Sequence, residues 1–265
     1  MSVIDELFAK LRASGRKAFM PFITAGDPDL EFTHQLIREL DILGCSLLEL
    51  GIPYSDPIAD GPVIQASYTR ALKRQIALSD ILDMTSQVTS EIKSPLVTMV
   101  SYAIVYRFGL ERYVAAAKQA GVAGAIIPDL LIEEAGPMAE ICRREDFSLI
   151  QLVTPTTPRD RAVRIAESSS GFLYYVSVTG ITGERQQLPS GLVDEVSWLR
   201  EQTNLPICIG FGISQPEHVR MLTPVADGLI VGSALVRHIA EAQEKDRDAV
   251  MGNVCELASE LLNAM

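Results

Sequence analysis

Residues 47–62 read LLELGIPYSDPIADGP, an apolar run ending in a carboxylate, followed by a loop of Pro, Gly and Asp. The run has strand character and delivers Glu49 at the point where the chain leaves a buried core. The loop then adds Asp56 and Asp60. Such a carboxylate is either solvated and salt-bridged or, when partly buried, raised in pKa and suited to moving protons.

The same unit recurs along the chain. Short apolar stretches, each followed by a longer helical pattern, lie at AFMPFIT (18–24), SLLEL (46–50), PLVTMV (95–100), GAIIPD (124–129), SLIQLV (148–153), FLYYVSV (172–178), PICIGFG (206–212) and DGLIVGS (227–233). Continuous apolar strands indicate a parallel sheet covered on both faces. Eight of them in 265 residues predict a single (β/α)8 TIM barrel over 1–265, with extra terminal helices from Ile4 and from about Asp246. Intervening helices are expected at Leu30–Leu43, Leu110–Ala120 and Ile132–Arg144. A doubly wound open sheet is the rival, but no G-x-G-x-x-G follows the first strand.

Composition excludes several classes of function. A formal charge of −11 with no Lys/Arg run argues against a nucleic-acid partner. Cys45, Cys142, Cys208 and Cys255 are scattered without metal-ligand spacing and read as reduced, buried thiols of a cytoplasmic protein. The N-terminal segment is a charged amphipathic helix rather than a signal peptide, and no apolar run spans a bilayer. His34, His218 and His238 all fall away from strand ends and read as structural or solvated; Met84, Met99 and Met138 read as packing residues.

A barrel places its site at the C-terminal ends of its strands. The loops there carry Thr24 to Asp27, the carboxylate loop, Ser101 and Tyr102, Asp129, and a long glycine-punctuated segment at 178–191 that reads as a lid. Gly180 to Gly183, Gly210 to Ser214 and Gly232-Ser233 serve either tight βα turns or the approach of an anion to backbone N–H groups. Their joint position after the last strands favours a phosphate.

PFITAGDP (21–28), LELGIPYSDPIADGPVIQ (48–65), GFLYYVSVTGITG (171–183), GFGIS (210–214) and VGSALV (231–236), taken in order, resemble the tryptophan synthase alpha subunit over nearly the whole chain. The resemblance implies a lyase that cleaves indole-3-glycerol phosphate to indole and glyceraldehyde 3-phosphate in tryptophan biosynthesis. It implies no cofactor or metal in this chain, and a pyridoxal-phosphate-dependent beta subunit as partner in an alpha2beta2 heterotetramer. Glu49 then matches the general acid–base residue and Asp60 the second catalytic carboxylate. Phe22, Val100, Tyr102, Leu152, Tyr174, Phe211 and Ile230 match positions around the substrate, although Phe22 and Tyr102 read equally as core packing. Thr182 matches the lid threonine, while Gly183, Gly212, Gly232 and Ser233 match the phosphate contacts. Pro53, Tyr54, Asp56 and Pro57 form the partner-facing loop, with Pro53, Tyr54 and Pro57 expected to be exposed. Leu131 departs from the family's usual proline, and RHIAEAQEKDRD after VGSALV matches poorly. A stand-alone lyase and a catalytically silent allosteric barrel are the alternatives; the presence of Glu49, Asp60 and Thr182 argues against the second.

Overall fold

The computed structural model describes residues 2–57, 60–176, 191–210 and 212–265. Its strands are β1 (Ala18–Thr24), β2 (Leu48–Gly51), β3 (Leu96–Met99), β4 (Val122–Ile126), β5 (Ser148–Ile150), β6 (Leu152–Val153), β7 (Leu173–Val176), β8 (Ile207–Gly210) and β9 (Gly228–Val231). All neighbours pair in parallel, in the order β5-β4-β3-β2-β1-β9-β8-β7-β6.

The two ends of that order are consecutive in the chain. β5 and β6 are one strand interrupted at Gln151, whose carbonyl accepts the Tyr174 N–H at 3.1 Å, so the sheet closes on itself. This is the (β/α)8 barrel expected from the sequence, with its fifth strand in two pieces.

Side chains alternate across the wall, as the period of a strand requires. In β3, Val97 and Met99 point into the barrel, whereas Leu96 packs outward and Thr98 bonds the Tyr113 hydroxyl at 2.8 Å in the layer beneath the helices. The helices Leu30–Ile42 and Leu110–Gln119 lie within a residue of their expected limits. The helix expected from Ile132 starts only at Gly136, because Pro137 suits a first helical turn and residues 132–134 form a turn ahead of it.

The N-terminal helix, Val3–Ala13, closes the bottom of the barrel. Its capping box is complete: Ser2 N donates to the Asp5 carboxylate at 2.8 Å and Asp5 N donates to Ser2 Oγ at 3.2 Å. Ile4, Phe8 and Leu11 face the barrel floor, with the Phe8 ring 5.8 Å from that of Phe172. Each such burial is worth roughly 1.5–3 kcal/mol. The C-terminal helix, Arg247–Asn263, starts at Asp246, which accepts from Ala249 N at 3.0 Å, and buries Val250, Val254, Ala258 and Leu261. No helix among the described residues is long and apolar enough to cross a membrane. Cys45, Cys142 and Cys208 are buried free thiols; Cys255 is only partly buried.

Candidate active site

At the opposite end of the barrel a cavity opens between the strand ends. Glu49 and Asp60 both line it. Glu49 was expected at the polar margin of its strand, partly buried. It lies instead within β2, 1 % exposed, and among the described residues neither carboxylate oxygen has a hydrogen-bond partner. Parallel pairing sets it beside Phe22 on one side and Val97 on the other. The Phe22 ring reaches over β2 because residue 51 is glycine: a Cβ there would come within 2.5 Å of the ring.

Asp60 comes from the loop, 6 % exposed. The backbone is fastened by Asp60 N donating to Pro57 O at 3.1 Å and by Gln65 Nε2 donating to Asp60 O at 2.7 Å. Pro62, in the first turn of the helix Pro62–Leu72, ends the loop immediately afterwards. The Tyr54 hydroxyl hydrogen-bonds the Asp60 carboxylate.

Burial and proximity divide the two carboxyls. Desolvation, reinforced by the charge of Asp60, pushes Glu49 up to about 8. Desolvation pushes Asp60 up to about 6, opposed by its hydrogen bond from Tyr54. At neutral pH the cavity therefore presents one protonated acid beside one carboxylate, which is the division acid–base chemistry needs. Tyr174 stays neutral, its pKa raised first by burial and then by Glu49 and Asp60.

Gly212, Gly232 and Ser233 line the cavity where β8 and β9 end. The helix Ser233–Ala240 starts from Gly232 with no side-chain cap among the described residues, which leaves its first-turn N–H groups to an anion. His218, buried nearby, accepts the Ser214 N–H on Nδ1 at 3.4 Å and so supports this turn.

The family profile described as "Tryptophan synthase alpha chain" matches residues 8–265. The chain belongs to this family. It is 59 % identical to the tryptophan synthase alpha chain of Rhodopirellula baltica over 94 % of this chain and 91 % of that one. The crystal structure of tryptophan synthase subunit alpha from Legionella pneumophila superposes with a TM-score of 0.90 at 35 % identity, covering 100 % of this chain and 98 % of the other. A chain of the tryptophan synthase complex from Pyrococcus furiosus superposes with a TM-score of 0.85 at 35 % identity, covering 93 % and 98 %. The protein is accordingly a lyase of the tryptophan synthase type, an alpha subunit that acts in tryptophan biosynthesis and carries no cofactor of its own.

Of the positions matched to this family's substrate contacts, Phe22, Tyr174 and Ile230 line the cavity. Val100 does not: it packs outward under the helices, one residue out of phase with the inward-facing Met99. Tyr102 starts the helix Tyr102–Phe108, where its N–H donates to Asp129 at 2.7 Å and its ring lies 6.0 Å from that of Tyr106, away from the cavity wall. Leu152 is partly buried inside the barrel beside its register partner Tyr174, without lining the cavity. Thr182, Gly183 and Phe211, with most of the 178–191 segment, lie outside the described residues.

Ile64 and Ile213, which the sequence did not single out, line the cavity, and so does Met99, which was expected only to pack. The inward phase of Glu49 would have found Met99, because the register pairs Glu49 with Val97 and Gly51 with Met99. Asp27, in the first loop, is buried and held by Arg70 in two hydrogen bonds of 2.8 and 2.6 Å. The loop 53–57 is less exposed than expected: Pro53 is buried and Tyr54 and Pro57 half-buried, leaving Ser55 and Asp56 in solvent. Tyr54 turns inward because its ring packs on Tyr68, with centroids 5.5 Å apart. No cluster of metal-ligating side chains occurs among the described residues.

Proposed function

We propose that this chain, acting as one domain over residues 1–265, cleaves indole-3-glycerol phosphate with Glu49 as general acid–base and Asp60 as the anion opposite the ring nitrogen. The observation that carries this reading is a buried Glu49 with both oxygens unpartnered among the described residues, facing a cavity it shares with Asp60, where desolvation raises its pKa to about 8.

In the proposed sequence Glu49 gives its proton to C3 of the indole ring, which becomes an iminium. Asp60, ionised at neutral pH, stabilises the charge at the ring N–H. The Glu49 carboxylate then takes the proton of the side-chain hydroxyl next to C3. The C–C bond to C3 breaks, its electron pair returns to the ring, and the hydroxyl carbon becomes the aldehyde of glyceraldehyde 3-phosphate. One proton has moved from hydroxyl to ring and Glu49 is restored. Phe22, Met99 and Ile230 make an apolar wall suited to the indole. The N–H groups around Gly212, Gly232 and Ser233 are assigned to the phosphate, together with Gly183; Thr182 is assigned to the lid and Phe211 to the indole pocket.

The beta subunit, carrying pyridoxal phosphate, is placed on the loop 53–57, in an alpha2beta2 assembly in the cytoplasm. Asp56 is exposed there, and Pro53 continues into a groove with Ile104 and Phe108. The test is to incubate the pure chain with indole-3-glycerol phosphate and follow indole, with and without a beta subunit. Slow release that accelerates in the complex supports the reading. No indole in either case refutes it, and a high rate for the lone chain with no complex formed supports the stand-alone lyase.

A further inference from the structure

The loop that presents Asp60 is fastened through its backbone, which leaves the direction of the carboxylate to other groups. The Tyr54 hydroxyl acts on this carboxylate as a donor that favours its charged form. Tyr54 has a rigid support. Its ring lies tilted at 53° on that of Tyr68, which is 1 % exposed on the helix Pro62–Leu72. That helix is fixed in turn by the paired hydrogen bonds of Arg70 to Asp27, and by Ser67 sharing a 2.7 Å hydrogen bond with Thr24 at the end of β1.

We propose that Tyr54 is a positioning residue for the cleavage: braced on Tyr68, its phenol hydrogen-bonds the Asp60 carboxylate and holds it ionised and aimed into the cavity. This rests on the role assigned to Asp60 above. It also gives Tyr54 a task separate from contact with a partner, since a half-buried side chain turned towards Asp60 offers little surface to a docking protein. The mechanism is that of a charge-assisted hydrogen bond, which favours the charged form of its acceptor and fixes its orientation.

The titratable groups facing Asp60 are Glu49 from β2, Tyr54 from its own loop, Tyr68 from the helix and Tyr174 from β7; Tyr54 also feels Asp129 beyond β4. Near pH 6 the tyrosines are neutral and Glu49 is protonated, so the acidic limb of the rate profile reports Asp60.

Tyr54→Phe keeps the ring on Tyr68 and removes only the hydroxyl. In the full chain we expect kcat for indole release to fall ~10-fold at neutral pH with KM within about twofold, the split of a group that acts in the transition state. The acidic limb should move to higher pH, so that the deficit shrinks as pH rises, and Tm should not change. Independently of activity, the Asp60 carboxyl titration followed by NMR should shift upward. Wild-type kcat with an unmoved limb would overturn the proposal, and so would a uniform loss of rate with no shift in titration. Asp60→Asn is run beside it. If that variant turns over normally, the role of Asp60 itself is wrong; if it is impaired while Tyr54→Phe behaves as wild type, only the assignment of Tyr54 fails.

Discussion

The two ends of this barrel are built from the same strands and treat polar groups in opposite ways. At the bottom, the helix Val3–Ala13 lays Ile4, Phe8 and Leu11 on the floor, and its first-turn donors are met by a complete capping box. At the top, Glu49 is buried with neither oxygen paired among the described residues, and the Tyr68 hydroxyl is buried without a partner among them as well. A buried carboxyl left unpaired costs stability unless it stays protonated. The lower end therefore stores folding free energy, and the upper end gives some of it up to hold an acid ready.

Removing that acid should separate the two ends most sharply. Glu49→Gln is expected to lower kcat by ~10²–10⁴ while leaving substrate affinity nearly intact, because the amide keeps the shape but transfers no proton. The same variant should be more stable than wild type. In the folded chain Glu49 titrates near 8 against 4.5 when unfolded, so the native state holds an extra proton between those values and loses stability as pH rises through them. The advantage of the Gln variant should thus grow from pH 5 to pH 8, reaching ~2–4 kcal/mol. Urea unfolding at both pH values checks the sign, and a variant less stable at pH 8 would contradict the unpaired state of Glu49.

The reciprocal change is at the floor. Phe8→Ala removes the ring beside Phe172 and should cost ~3–5 kcal/mol of stability, yet leave kcat of the folded fraction unchanged. A proportionate loss of kcat would mean that the two ends are not independent.

A smaller effect is expected at the anion end. Gly232 has φ near −116°, which other residues adopt, and an added Cβ would meet Phe22 no closer than 3.4 Å. Gly232→Ala should therefore fold, weaken glycerol phosphate by ~10-fold and leave indole binding alone, as read by calorimetry. Gly212, with φ of +81°, is the poorer test because any side chain there strains the turn itself. The smallest effect is in the wild type: kcat/KM should be bell-shaped in pH, with limbs near 6 from Asp60 and near 8 from Glu49.

The strands were legible because each is a compact apolar run, and their number required closure. The break at Gln151 was not, since a single polar residue inside SLIQLV does not interrupt the apolar pattern. The fold brings Glu49, Asp60, Gly232 and Ser233 to one cavity, but their chemical roles rest on the family resemblance and the proposed mechanism. Val100 was placed on the wrong side of the wall for lack of phase: strand parity, counted from Glu49 across the register, points Met99 inward and Val100 outward. Tyr54 could not be read at all from local sequence. A tyrosine between two prolines looks exposed, and only the arrival of Tyr68 from the next helix turns it inward.

The cavity at the strand ends bears on how much of this protein a cell keeps. Whatever fills the upper end of the barrel binds the folded chain and not the unfolded one, and so adds to its stability by mass action, ~2.7 kcal/mol at a hundredfold excess over Kd. The populations of folded and unfolded chain, and with them exposure to proteases, then follow the supply of substrate. A chain left without its metabolite is cleared sooner than one at work, and the abundance of the enzyme is tied to the flux that needs it.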